Sequence, residues 1–122
     1  MNLVDSSAWI EYFIDGQHAQ SFSRAVEQVQ KLIVPTVVIY EVFKFLFREA
    51  SEAQAWKAIA AMHLGKVVDL GVDTSLQAAQ ISLEFNLPMA DSFILATAKE
   101  YKATLWTLDA DFKGMEGVKY IT

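Results

Sequence analysis

The sequence has no cysteine, only two prolines and five glycines, and fewer basic than acidic residues. Without cysteine there is no disulfide framework, no thiolate metal site and no cysteine nucleophile. No linker, internal repeat or low-complexity segment interrupts the chain. It also lacks any run of eighteen apolar residues, and Met1 leads straight into structured sequence without a signal-peptide pattern. A soluble cytoplasmic protein with no membrane association is the expectation. Ten basic residues against fifteen acidic give a net charge of −5. That argues against gripping nucleic acid by bulk charge. It leaves room for an enzyme whose bound metal ions reverse the local sign.

What is present is apolar: 53% of the 122 residues are hydrophobic. A chain of this length forms one domain, residues 1–122, burying ~65% of its unfolded surface. Short apolar runs read as strands at Asn2–Asp5, Leu32–Val34, Lys66–Asp69, Ala103–Thr107 and Val118–Ile121. Between them, helical spacing predicts helices from Ser6 or Ser7 as cap to Phe13, and over Ala19–Gln30. Three more follow: Val37 to about Glu49 with Thr36 as cap, Ser51–His63 with Ser51 and Gln54 at capping-box spacing, and Asp73–Phe85. A last helix opens after Pro88. Alternating strands and helices predict an α/β fold with a parallel sheet covered on both faces.

The helix after Pro35 is apolar around most of its circumference, with Glu41, Lys44 and Arg48 as one narrow polar stripe. Such a helix is buried on more than one side, which in so small a domain suggests a partner subunit.

The chemistry concentrates in carboxylates. Asp5 ends the first strand, Asp109 and Asp111 follow the fourth, and Asp91 lies in the first turn of the helix before it, where the helix dipole favours negative charge. In a parallel sheet these points meet at one rim. Glu41 lies one to two turns into its helix and can lean back to that rim. Two ionised carboxylates ~5 Å apart repel by roughly 3 kcal/mol at an effective dielectric of ~20. Convergence therefore requires protonation or a cation. An all-carboxylate set selects a hard ion, Mg²⁺ or Mn²⁺, suited to phosphate substrates and in-line displacement at phosphorus.

Each residue also has a plainer reading. Asp5 or Asp109 alone is a helix cap or turn former, Asp91 a dipole partner, and Glu41 a surface partner of Lys44. His18 and His63 read as surface residues. Phe43, Phe45, Phe47 and Trp56 read as core or interface.

Taken together, VDSSAW, the lone Glu41, MADSFILATA and LWTLDADF resemble the PIN-domain ribonucleases, and among them the VapC-type toxins of toxin–antitoxin pairs. The resemblance implies a PIN-like three-layer fold with a short five-stranded parallel sheet flanked by helices. It also implies Mg²⁺- or Mn²⁺-dependent hydrolysis of RNA, a homodimer, and inhibition by a small antitoxin. By position, Asp5, Glu41, Asp91 and Asp109 match the family's acidic metal-site quartet. Ser7 and Thr107 match its supporting hydroxyls, and Asp111 is placed in the metal's outer shell, behind Asp109. Metal ions plus a few local basic residues, Lys44, Arg48, Lys99 or Lys102, are the expected sources of a small positive patch, and an antitoxin arginine could enter between the carboxylates. The competing readings are a receiver-like signalling module, which would need paired acids after the first strand, and a metal-binding interaction domain without turnover.

Overall fold

A computed structural model describes residues 1–122. The strands are β1 (Asn2–Val4), β2 (Leu32–Pro35), β3 (Lys66–Val68), β4 (Thr104–Thr107) and β5 (Val118–Tyr120). Six helices connect them: α1 (Ser6–Phe13), α2 (Ala19–Glu27), α3 (Thr36–Glu49), α4 (Glu52–Met62), α5 (Val72–Phe85) and α6 (Met89–Glu100). Single 3₁₀ turns occupy Val29–Lys31 and Ala110–Phe112.

All strand pairs are parallel, in the order β3-β2-β1-β4-β5. β2 is buried along its whole length, as a strand covered on both faces must be, and the edge strands β3 and β5 carry the exposed lysines Lys66 and Lys119. The chain leaves β1 in one direction through β2 and β3, then returns to β1's other side for β4 and β5. That reversal opens a crevice beyond the carboxyl ends of β1 and β4, where ligands of such sheets bind. A receiver-like module would instead follow the order 2-1-3-4-5. The sheet order therefore rules that reading out.

The core joins Leu3, Val4, Ile33, Val34 and Leu105 of the sheet to Trp9, Phe22, Val42, Met62 and Ile94 of the helices. Trp9 stacks on Phe13 with ring centroids 5.4 Å apart.

The structure departs from the sequence reading at helix starts and ends. Asp5, not Ser6 or Ser7, caps α1: its backbone is extended and its carboxylate accepts from Ser6 N–H at 2.7 Å. Thr36 is the first helical residue rather than a cap, because Pro35 has the extended conformation that opens α3. α2 ends at Glu27 and the chain tightens into a 3₁₀ turn. Ser51 caps α4 as expected, accepting from Gln54 N–H at 3.0 Å.

α3 buries only Val38, Val42 and Leu46 fully, while Tyr40 and Phe47 are exposed. Trp56, expected in a core or interface, is exposed with Phe43 edge-on at 4.9 Å. A second apolar surface lies on α5, where exposed Val72, Leu76, Ala79 and Leu83 are spaced four, three and four residues apart. No helix is long and apolar enough to cross a membrane.

Candidate active site

Asp5 is 2% exposed at the end of β1. Its closest donors are Ser6 N–H at 2.7 Å, Ser7 Oγ at 2.8 Å and Thr107 Oγ1 at 2.7 Å, with the Ser6 hydroxyl more distant at 3.3 Å. The Ser7 and Thr107 hydroxyls have one proton each, and both are directed at Asp5. The lone pairs of those hydroxyls are then free to accept from the backbone of the β4 loop. Leu108 N–H donates to Ser7 at 3.1 Å and Asp109 N–H to Thr107 at 2.9 Å. Ser7 and Thr107 thus stitch the end of β1 to the loop that presents Asp109.

That loop is wound tight. Asp109 Oδ1 accepts from Asp111 N–H at 2.9 Å, capping the 3₁₀ turn, and Phe112 anchors it in the core at 0% exposure. Asp91, Asp109 and Asp111 converge so that one carboxylate oxygen from each lies within 4.8 Å of the others. Asp111 is thus a member of this group, alongside Asp91 and Asp109. The sequence carried the signal in the Asp109-x-Asp111 spacing of a loop wound into one turn.

Asp5 and Glu41 lie outside that triad but within its field. Burial raises the Asp5 carboxyl above its ordinary range, the Thr107, Ser7 and Ser6 bonds oppose this, and Asp109 adds to it. Burial raises Glu41 as well, opposed by the neighbouring Ser6 hydroxyl and reinforced by Asp5 and Asp109. Burial pushes Asp91 up to about 7, with the charges of Asp109, Asp5 and Glu41 adding to it. Glu41 Oε1 is buried without a hydrogen-bond partner. An orphaned carboxylate oxygen is costly unless a ligand meets it.

No cation offsets these charges: the one ion pair in the molecule joins Arg48 to Glu49 on the surface. Five carboxylates without a counter-charge, one with an unpartnered buried oxygen, fit a hard divalent cation. Mg²⁺ is held through one or two carboxylates and keeps several waters, which suits a donor set this spread out.

Of the residues expected in a positive patch, Lys99 and Lys102 lie away from the acidic rim. Lys99 and Lys102 line a cleft with Thr104 and Gly117, where α6 ends and β4 begins. Lys99 lies eight residues along α6 from Asp91, ~12 Å at the helical rise, toward the opposite edge of the sheet. Arg48 is engaged by Glu49. His63 is exposed with its ring 3.0 Å from the Ile59 carbonyl, and neither histidine joins the acidic group.

A family model described as the PIN domain matches residues 3–118. The chain belongs to the PIN-domain family. Solved structures share the fold at low identity. A toxin–antitoxin complex from Klebsiella pneumoniae is 22% identical with a TM-score of 0.84, covering 99% of this chain and 100% of that one. Mycobacterium tuberculosis VapC20, a sarcin–ricin loop cleaving toxin, is 16% identical with a TM-score of 0.80, covering 95% of each chain. Rickettsia felis VapBC2, bound to a DNA fragment from its promoter, is 11% identical with a TM-score of 0.75, covering 98% of this chain and 96% of that one. No curated protein sequence matches. This PIN domain presents its acids where the sheet order reverses, on β1, the β4 loop, α3 and the first turn of α6.

Proposed function

We propose that this PIN domain is a metal-dependent endoribonuclease acting as the toxin of a toxin–antitoxin pair. The observation that carries the reading is the uncompensated group of Asp5, Glu41, Asp91, Asp109 and Asp111 with no basic residue in ion-pair range. Asp91, Asp109 and Asp111 would hold Mg²⁺ or Mn²⁺, with Asp5 and Glu41 behind them. The ion, when bound, supplies charge stabilisation at the scissile phosphate and a water of lowered pKa. Ser7 and Thr107 keep Asp5 oriented and fix the Asp109 loop. Glu41, raised by burial, is suited to take a proton from the attacking water.

The partner reading rests on surfaces. A cleft of about 560 Å³ between α1, α3 and α4 is lined by Tyr12, Phe13, Leu46 and Ala58 together with the charged Asp15 and Lys57. It suits an amphipathic segment of an antitoxin, and the acidic rim suits an arginine carried by that segment. The exposed apolar residues of α3 and α5 suit a second copy of the chain. Such a toxin would act in the cytoplasm, where its RNA is.

Expressing the chain alone in a bacterial host and mapping new RNA 5′ ends tests the reading. Growth arrest with discrete new ends, absent for Asp91→Asn, is expected. Growth and RNA ends indistinguishable from the uninduced host would overturn it and favour a binding module without turnover.

A further inference from the structure

The acidic rim has no cation of its own, so an RNA strand entering it needs a positive contact nearby. Four lysines in this fold lie over aromatic rings: Lys44 over Tyr40 at 5.6 Å, Lys66 over Tyr101 at 5.1 Å, Lys113 over Tyr120 at 6.0 Å and Lys119 over Trp106 at 4.8 Å. Lys66 and Tyr101 lie at the opposite ends of the strands from the acids, where β3 begins and α6 has ended. Lys119 and Trp106 are register partners, and strand alternation turns both away from the face of Thr107. Lys44 and Tyr40 belong to the apolar α3 surface with Phe43 and Phe47, which has the chemistry of a protein contact.

Lys113 and Tyr120 differ on each count. Tyr120 pairs directly with Thr107 across β4 and β5, so their side chains share one face with backbones ~4.8 Å apart. Thr107 is the residue whose hydroxyl meets Asp5. Lys113 comes two residues after Asp111, at the end of the same 3₁₀ turn, and its N–H bonds the Ala110 carbonyl at 3.0 Å. With Phe112 buried beside it, the turn fixes where Lys113 starts relative to Asp109 and Asp111. Lys113 is exposed and in no ion pair, although two carboxylates share its loop. Tyr120 is partly exposed. An ammonium over a tyrosine face orients the ring, and the partial exposure of Tyr120 leaves part of that ring accessible.

We propose that Lys113 and Tyr120 form a nucleotide subsite beside the cleavage centre. Lys113 Nζ contacts a phosphate adjoining the scissile one, and the Tyr120 ring stacks on the neighbouring base. The subsite rests on the ribonuclease reading. It gives an acidic protein a local grip on RNA, one phosphate and one base at a time, without bulk positive charge.

The test is equilibrium binding by the full-length protein to a single-stranded RNA oligonucleotide and to an RNA stem–loop. Ca²⁺ replaces Mg²⁺, and binding is read by fluorescence anisotropy across a salt series. Lys113→Glu is expected to weaken binding about tenfold and to flatten the log–log salt slope by about 0.7, the value of one single-strand phosphate. Tyr120→Leu is expected to weaken binding about tenfold with the slope unchanged, as loss of a stacked base does. Lys113→Arg and Tyr120→Phe keep the chemistry and stay close to wild type, which separates the subsite from a folding defect. Wild-type binding with unchanged affinity and slope in Lys113→Glu and Tyr120→Leu would overturn the subsite and leave the ribonuclease reading standing. Wild-type protein that binds neither RNA would overturn both.

Discussion

Asp91 carries the most informative charge in the molecule. Its carboxyl is pushed up to about 7 by burial first and by Asp109, Asp5 and Glu41 after that. An unfolded aspartate titrates near 3.9. Between those values the folded protein holds a proton that the unfolded chain has released. Stability of the metal-free protein therefore falls as pH rises from about 4 to about 7, then levels off. A divalent ion replaces that proton, so its stabilising effect grows over the same window. Thermal melts of chelated protein at about pH 5 and about pH 8, with and without Mn²⁺, check this. The melting temperature should drop with pH in chelator, and Mn²⁺ should restore it most at the higher pH. Asp91→Asn should flatten both trends. A melting temperature that rises with pH in chelator would contradict the account. The sequence located Asp91 through Pro88 and the apolar run behind it, but its raised pKa depends on neighbours that only the fold brings close. Asp5 shows the converse. The sequence reading put the cap of α1 at Ser6 or Ser7, and only the end of β1 at Val4 decides that Asp5 takes that place.

The 3₁₀ turn Ala110–Phe112 links core packing to chemistry, because Phe112 is its anchor and Asp109 and Asp111 are its rim. Phe112→Ala should cost about 3–5 kcal/mol. It should also weaken Mn²⁺ binding, since the carboxylates lose their fixed spacing. Ser51→Ala should cost about 1 kcal/mol through the lost α4 cap and leave Mn²⁺ binding intact. Denaturant melts and calorimetric Mn²⁺ titrations separate the two. Equal Mn²⁺ affinity in wild type and Phe112→Ala would show that the turn does not position the metal ligands. Element order was readable because apolar runs are local patterns, and the carboxylates Asp5, Asp91 and Asp109 could be aimed at one rim from strand and helix direction alone. The placement of Lys99 and Lys102 was not deduced, although strand direction contains it: a helix that starts at the site's rim ends at the other. The 4-3-4 apolar spacing on α5 was also visible in the sequence, and only its exposure gives it meaning.

The whole molecule combines a net charge of −5 with two exposed apolar surfaces. Leu83 is 87% exposed and Leu76 62%, an arrangement that suits association. If α5 lies in the dimer interface, the double change Leu76→Glu and Leu83→Glu should convert dimer to monomer by sedimentation velocity without lowering the melting temperature of the fold. An unchanged sedimentation coefficient would move the interface to another surface, with Tyr40 and Phe47 of α3 the next to test. Sequence reasoning reached association through α3 alone, because hydrophobic coverage is visible in sequence and solvent exposure is not.

Cleavage of a defined panel of transfer and ribosomal RNA fragments by purified protein bears most directly on the central claim. It would be run with Mg²⁺, with Mn²⁺ and with chelator, beside Asp91→Asn purified in the same way. The account predicts cuts at discrete sites with either ion, none with chelator, and a loss of at least about a hundredfold in the variant. Equal cutting by both proteins, or cutting that survives chelation, would contradict it.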